Sequence, residues 1–359
     1  MKAAVCRAFG EPLSIEDINL APPQADQIEV QIKACAVCHS DIFYADGEWG
    51  GALPAVYGHE AAGIVKTVGA NVTEFTAGDH VCVTLIRSCG MCPTCAGGAP
   101  SECDQPWDKS VTPLSDEDGH PIVKAMNSGA FAERVVVHPS QCARLPKDMA
   151  FDVASLVSCG VITGVGAAVN TAHVRPGAKV AVIGTGGVGL NAIQGAKICG
   201  ASMIIGMDLS EEKLEAAKEF GATDGVLASD ENASEQVKAL TGGRGVDYAF
   251  VTVGAPVAFQ NAPALLTKGG AMVIVGMPPA DAVVGYKPLD LADASQRFLG
   301  SSMGQTVVKR DIPWLLDLYA QGRLQLDELI TGRYSLDRIN EAFTHTKSGK
   351  ARRNVIVFD

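Results

Sequence analysis

Lys179–Asp208 reads KVAVIGTGGVGLNAIQGAKICGASMIIGMD, and this stretch decides the fold. Val180–Ile183 is a short apolar run of β type. Gly184-Thr-Gly186-Gly187-Val188-Gly189 follows it and opens a helical run, and Met203–Met207 is a second apolar β run closed by Asp208. Strand, glycine turn, helix, strand is the order of a dinucleotide-binding unit. The first glycine permits the tight turn, the second lets the backbone approach a pyrophosphate, and the third lets helix and strand pack closely. The helix N-terminus attracts the phosphate charge. Asp208 stands about twenty residues past the glycines, where an acid accepts hydrogen bonds from a ribose 2′-hydroxyl and repels a 2′-phosphate, which points to NAD rather than NADP. Capping of the next helix is the plainer use of the same aspartate.

Downstream the alternation continues. Ser210 is placed to cap a helix, with Glu211 and Glu212 in the first turn and Gly221 at the C-terminal end. Val246–Val253 and Ala271–Val275 read as further strands. This alternation predicts a parallel, doubly wound sheet of Rossmann type over residues 161–302. Upstream, the first half reads as short β segments such as Ile28–Ile32, Gly63–Val68 and Ala132–His138, without sustained helical periodicity. The last part is mixed, with Ile312–Ala320 and Leu336–Thr346 helical and Asn354–Phe358 a closing strand. Residues 1–160 and 303–359 are therefore expected to form one mostly β domain into which the Rossmann-type domain is inserted. A length of 359 residues suits two domains at roughly 150 residues each.

Composition narrows the function classes. The apolar share is 47% and the charged share 19%, which excludes a disordered chain. A net charge of −11 disfavours a fold-wide grip on nucleic acid or on an anionic membrane, both of which need excess Lys and Arg. The uncharged run Val153–Val174 is long enough for a bilayer, but Ser, Cys, Thr, Asn and glycines dilute it, and it reads better as a buried helix. The N-terminal stretch MKAAVCRAFGEPLSIED lacks a signal-peptide core, so a cytoplasmic, reducing setting is expected.

There are 11 cysteines, an odd number that full disulfide pairing cannot use. In a reducing setting clustered cysteines more often hold metal or do chemistry. Cys89-x2-Cys92-x2-Cys95-x7-Cys103, amid Gly and Pro, has the spacing to wrap a tetrahedral Zn²⁺ with no open position, which is a structural site. An iron–sulfur cluster also takes four thiolates, and unligated packing cysteines fit the spacing too. A second set is spread along the chain: Cys38-His39-Ser40-Asp41, then His59-Glu60, then Cys159. Cys38, His59 and Cys159 make a Cys₂His set whose fourth position is left to water or substrate, the composition of a catalytic zinc. Each residue alone says little; their joint occurrence with the four-cysteine lobe and the NAD fingerprint carries the reading.

CHSD, GHEAAGIV, GDHV, the cysteine lobe 89–103, SCGVITGVGAAV, the glycine turn with Asp208, GVDYAF, VIVGMPP and SGKARRNVIVF together resemble the zinc-dependent alcohol dehydrogenases of the medium-chain dehydrogenase/reductase superfamily, nearly from end to end. The resemblance implies a GroES-like catalytic domain around the Rossmann insertion. It implies NAD and two zinc ions per subunit, and hydride transfer from a zinc-bound alkoxide. It also implies roles for named residues. Glu60 is the acidic neighbour of the catalytic zinc, and Asp41 orients the ligating histidine. Thr163 packs beside the nicotinamide, His39 and Arg353 contact the pyrophosphate, and Lys213 lies near the adenosine ribose. Ser40 is placed to take the alcohol proton.

The same resemblance marks Trp49, Leu85, Met126, Met277 and Ser302 as substrate-lining, with ordinary core packing as the alternative for each. That wall suits an uncharged primary alcohol, medium-sized or aromatic, and its aldehyde. Phe43 stands where many family members carry the histidine that ends the proton relay. Trp107 stands where the glutathione-dependent class carries an arginine, which disfavours glutathione adducts, though Lys109 is nearby. Secondary-alcohol or polyol dehydrogenases and a catalytically silent NAD- and zinc-binding protein are the remaining alternatives. Cys159 favours the primary-alcohol branch, and the presence of Cys38, Ser40, His59 and Cys159 together disfavours silence. Family members are dimers or tetramers, and the long stretch from Cys103 to Cys159 favours a homodimer. Cys6, Cys35, Cys82, Cys142 and Cys199 are left to apolar packing.

Overall fold

Lys179–Ile183, Met203–Asp208, Asp224–Leu227, Val246–Val251, Leu266–Ile274 and Arg297–Gly300 form one six-stranded sheet with every neighbouring pair parallel. Its spatial order is third, second, first, fourth, fifth, sixth, so the order reverses between Lys179–Ile183 and Val246–Val251. Crevices at such a switch point are where doubly wound sheets bind nucleotides. The glycine turn leaves the carboxyl end of the strand at that point. The computed structural model describes residues 1–105, 107 and 111–359. The chain divides into two units, Met1–Gly160 with Val307–Asp359, and Val161–Thr306.

The first unit is built on β structure, as its sequence predicts. Cys142–Arg144, His80–Val83, Glu60–Val68, Ile28–Ala36, Arg353–Val357 and Ile330–Ser335 lie side by side in that order, and Arg134–Val137 also pairs with Ile28–Ala36. Ile28–Ala36 alternates buried and half-buried residues before its last three positions, all buried. Val30, Ile32, Val65 and Phe131 belong to the unit's core. The register Ala36↔Glu60 on one side and Val355↔Ala36 on the other brings three chain segments to one point.

Three expectations need correction. A helix, His39–Ala45, stands in the half read as β; seven residues give too few turns for a period to show. Ser210 occupies the N-cap position of Glu211–Glu219, but its hydroxyl makes no capping hydrogen bond. The run Val153–Val174 is not one helix. It splits into Phe151–Ser155, a 3₁₀ turn Leu156–Ser158, the helix Gly160–Gly166 and a π-helical turn Ala167–Thr171. The glycines weaken its helix propensity, and Cys159 sits at the break. Among the described residues no single helix is long and apolar enough to cross a membrane; Phe151–Ser158 and Gly160–Thr171 reach that length only as a bent pair.

Gly164 lets two helices of the second unit approach: a Cβ there would lie 2.4 Å from Val188 O and 2.6 Å from Asn191 Cβ. Gly164→Ala is expected to cost about 1–3 kcal/mol by overpacking. A lowered thermal midpoint checks this; an unchanged midpoint contradicts the tight fit.

Candidate metal and nucleotide sites

Cys38 lies two residues past the strand Ile28–Ala36, at the N-cap of the helix His39–Ala45. His59 directly precedes the strand Glu60–Val68, and the register Ala36↔Glu60 sets it beside Cys38. The Ser158 hydroxyl donates to Ala61 O at 3.0 Å, which ties Cys159 to the same place. Ligand atoms of Cys38, His59, Glu60 and Cys159 all lie within 4.8 Å of one another.

The buried carboxylate of Asp41 organises this set. It accepts from Cys38 N at 2.9 Å and Gly58 N at 2.9 Å, and its Oδ1 lies 3.1 Å from His59 Nδ1. Holding the proton on Nδ1 leaves Nε2 as a lone pair. That Nε2 is buried and has no hydrogen-bond partner among the described residues, which a native interior rarely tolerates unless another group binds there. Cys38 is pushed well below, and Cys159 well above, the ordinary thiol range, first because the two thiols hydrogen-bond to each other. Two soft thiol donors and one imidazole suit zinc, with the Glu60 carboxylate beside them.

Glu60 is wholly buried and forms an ion pair with Arg353. Burial lifts its carboxyl to about 7 against the opposing pull of Arg353. Its Oε2 accepts from Gly160 N at 3.4 Å. Gly160 makes room for the guanidinium, since a Cβ there would lie 2.8 Å from Arg353 Nη1.

The second metal set is local. Ligand atoms of Cys89, Cys92, Cys95 and Cys103 also lie within 4.8 Å of one another. Met91 N and Cys92 N donate to Cys89 Sγ at 3.4 and 3.3 Å, Cys95 N to Cys92 Sγ at 3.4 Å, and Cys89 N to Cys103 Sγ at 3.4 Å. Amides aimed at sulfur favour the thiolate. The Thr94 hydroxyl, with the Cys95 amide, draws the Cys92 thiol down to about 6. Four cysteine ligands would leave a bound ion no open position, which is the pattern of a structural site.

In the second unit Gly184 has φ of +90°. A Cβ on Gly189 would lie 1.8 Å from Gly184 O, whereas one on Gly186 would meet nothing within 4 Å. The turn is therefore closed on its inner side and open toward a ligand. Gly187–Ile198 begins there without a side-chain cap, which leaves first-turn amides to an anion. Asp208 Oδ2 accepts from Thr185 N at 2.8 Å, and Oδ1 from Leu209 N at 2.8 Å. Lys213 Nζ lies 3.8 Å from Asp208 Oδ1.

Residues 24–147 match the alcohol dehydrogenase GroES-like domain family, and residues 187–321 match the zinc-binding dehydrogenase family. The chain is 35% identical over 374 residues to an alcohol dehydrogenase class-3 of Cereibacter sphaeroides, with 99% of each chain covered. It is 34% identical over 373 residues to an S-(hydroxymethyl)glutathione dehydrogenase of Paracoccus denitrificans, again with 99% of each covered. The crystal structure of benzyl alcohol dehydrogenase from Acinetobacter calcoaceticus superposes with a TM-score of 0.93 at 31% identity, covering 100% of this chain and 99% of that one.

The chain belongs to the zinc-dependent alcohol dehydrogenases of the medium-chain dehydrogenase/reductase superfamily. Its cofactors are NAD and zinc, and its substrates are small alcohols and aldehydes. In this alcohol dehydrogenase Ser40 is half-buried in the first turn of His39–Ala45, and His39 is exposed. Phe43 and Tyr44 hold Trp49, with ring centroids 5.1 and 5.2 Å away. Leu85 and Met126 are half-buried in the same unit, and Asn127 Nδ2 donates to Leu85 O at 3.0 Å. Met277 and Ser302 are exposed residues of the second unit, Met277 at 61%. Thr163 is buried, its hydroxyl 3.8 Å from Met303 Sδ. Lys109 lies outside the described residues.

Sequence reasoning missed the Glu60–Arg353 pair, because nothing in a one-dimensional pattern joins residues so far apart. Asp41→Asn keeps the shape but loses the charge that fixes the His59 ring. Zinc affinity at that site is expected to fall about 10- to 100-fold, measured by competition with a chelator. Cys103→Ser is expected to remove one of two zinc ions by metal analysis while the other stays.

Proposed function

We propose that Cys38, His59 and Cys159 hold the catalytic zinc, and Cys89, Cys92, Cys95 and Cys103 the structural one. On this reading the first unit is catalytic, and the second binds NAD through Gly184–Gly189 and Asp208. The observation that carries the reading is the unpartnered Nε2 of His59 among converging thiols. When bound, zinc acidifies an alcohol hydroxyl and polarises a carbonyl, and NAD exchanges the hydride.

The protein's own residues supply position and proton traffic. Asp41 holds the His59 ring. Glu60, held by Arg353, puts a negative charge beside the metal set that can approach it during ligand exchange. Ser40 takes the alcohol proton. With Phe43 unable to relay it, His39 or water receives the proton next. Thr163 packs beside the nicotinamide and Lys213 beside the adenosine ribose. Arg353 is buried on Glu60, so its part at the pyrophosphate is a shared one, with His39 the exposed contributor.

By the family resemblance Trp49, Leu85 and Met126 of the first unit are substrate-lining residues, and Met277 and Ser302 are those of the second. The apolar wall, with Trp107 where the glutathione-dependent class has arginine, supports an uncharged primary alcohol of medium or aromatic size. The benzyl alcohol dehydrogenase likeness supports the same choice. The Paracoccus relative's name supports S-(hydroxymethyl)glutathione as the second reading. The family resemblance and the long stretch from Cys103 to Cys159 support a homodimer, with the cytoplasm as its setting.

Ser40→Ala is expected to lower kcat about 100-fold or more, within the range for proton-transfer groups, with zinc content unchanged. Steady-state absorbance at 340 nm over a panel of aliphatic and aromatic alcohols and S-(hydroxymethyl)glutathione checks both residue and substrate. Near-normal turnover in the variant removes Ser40 from the proton path. Asp208→Ala is expected to narrow the preference for NAD over NADP; an unchanged ratio contradicts its placement.

A further inference from the structure

The glycine turn of the second unit carries one buried polar side chain. Thr185 stands between Gly184 and Gly186 and is 2% exposed. Its hydroxyl lies 3.1 Å from Asp208 Oδ2 and 3.2 Å from Lys213 O. Its amide donates to the same Asp208 Oδ2 at 2.8 Å. One residue of the turn thus touches both residues read as facing the adenosine ribose, Asp208 at its carboxylate and Lys213 at its backbone.

A hydroxyl has one proton to give. The carboxylate is the stronger of the two acceptors, because charge shortens and strengthens the bond. The amide and hydroxyl of Thr185 then occupy both lone pairs of Asp208 Oδ2. Oδ1 accepts from Leu209 N at 2.8 Å. Lys213 Nζ, at 3.8 Å from Oδ1, is beyond hydrogen-bond length and adds charge without taking a lone pair. Oδ1 therefore keeps one acceptor position for a ligand, and Oδ2 keeps none.

Sterics hold the hydroxyl where it is. Threonine branches at Cβ and is stiff about χ1. Its methyl has a seat on the strand Met203–Asp208: a Cβ on Gly206 would lie 3.3 Å from Thr185 Cγ2, and the glycine leaves that space clear. A rotation that took the hydroxyl off Asp208 would also take the methyl off its seat.

We propose that Thr185 is a positioning residue for cofactor choice. It clamps Oδ2 of Asp208, so that Oδ1 is presented to the ribose 2′-hydroxyl and the carboxylate charge to any 2′-phosphate. Thr185 acts through Asp208 and needs no side-chain contact with the cofactor. An unclamped carboxylate can turn about its Cα–Cβ bond toward Lys213 or water. It then accepts less well from a hydroxyl and repels a phosphate less. The proposal rests on the reading of Asp208 as the ribose acid.

Titration calorimetry of the full zinc-loaded chain with ADP-ribose and with ADP-ribose 2′-phosphate tests it. The two probes differ only at the 2′ position, and neither needs turnover. Thr185→Val keeps the volume and the methyl but loses the hydroxyl proton. It is expected to weaken ADP-ribose about tenfold, as loss of one charge-assisted hydrogen bond implies, and to leave the 2′-phosphate probe within about threefold. Thr185→Ser keeps the donor and is expected to bind ADP-ribose within about threefold of wild type. Circular dichroism shows that each variant folds; Thr185→Ala, which also lacks the hydroxyl, repeats the measurement if the valine variant does not. In an Asp208→Ala background Thr185→Val is expected to change neither Kd, since residues acting through one another do not add. Equal weakening of both probes, or full additivity in that background, marks a merely structural role and overturns the proposal. So does wild-type binding by Thr185→Val beside an Asp208→Ala variant that binds ADP-ribose more weakly. Wild-type binding of both probes by Asp208→Ala overturns the ribose reading and the proposal together, so the two failures are separate results.

Discussion

The register of Ile28–Ala36 against its antiparallel neighbours Glu60–Val68 and Arg353–Val357 is the constraint on which the rest depends. Ala36 pairs with Glu60 on one side and with Val355 on the other, and Val37 N donates to Asn354 O at 2.9 Å. Cys38, His59, Glu60 and Arg353 are thereby delivered to one point by backbone pairing, before any side chain chooses a partner. A one-residue slip would turn each strand's inward set outward, and metal ligands and core would be lost together. The fully buried Asp41 then completes what the strands begin, since one carboxylate satisfies two backbone amides and the His59 ring.

Charge withdrawn from water is handled in two different ways in the first unit. Around Glu60 the acid and its cation lie in the same interior, and an ion pair offsets part of the desolvation cost. Around Arg87 the cation is stacked on Trp107 and the acid is missing among the described residues. The first arrangement is internally balanced and holds geometry. The second leaves Arg87 Nε without a hydrogen-bond partner among the described residues.

The sequence made much of this legible. Glycine spacing after an apolar run announces the nucleotide turn because sterics leave few residues a choice there, as the 1.8 Å approach at Gly189 shows. Four cysteines in one short lobe announce a metal set because their spacing is local. Cys38, His59 and Cys159 are legible only jointly, as their proximity depends on strand register. The Arg353–Glu60 pair and the Arg87–Trp107 stack carry no local pattern, being set by packing across strands and loops. The break at Cys159 was hidden by an apolar run whose composition suits one helix and whose glycines suit several. Helix His39–Ala45 was too short for its period to be seen.

The closing strand Arg353–Val357 has a consequence for how the protein is made. It docks against Ile28–Ala36, so the sheet that gathers the metal ligands joins segments separated by more than three hundred residues. Val161–Thr306 leaves the ribosome before that strand exists, and domains generally fold as they emerge. The inserted unit can therefore reach its fold while the unit around it still lacks a strand. Such long-range closure is slow. During that interval the candidate ligands Cys38 and His59 lie beside a Glu60 that still lacks Arg353, so the site's buried acid gains its cation only when the last strand docks.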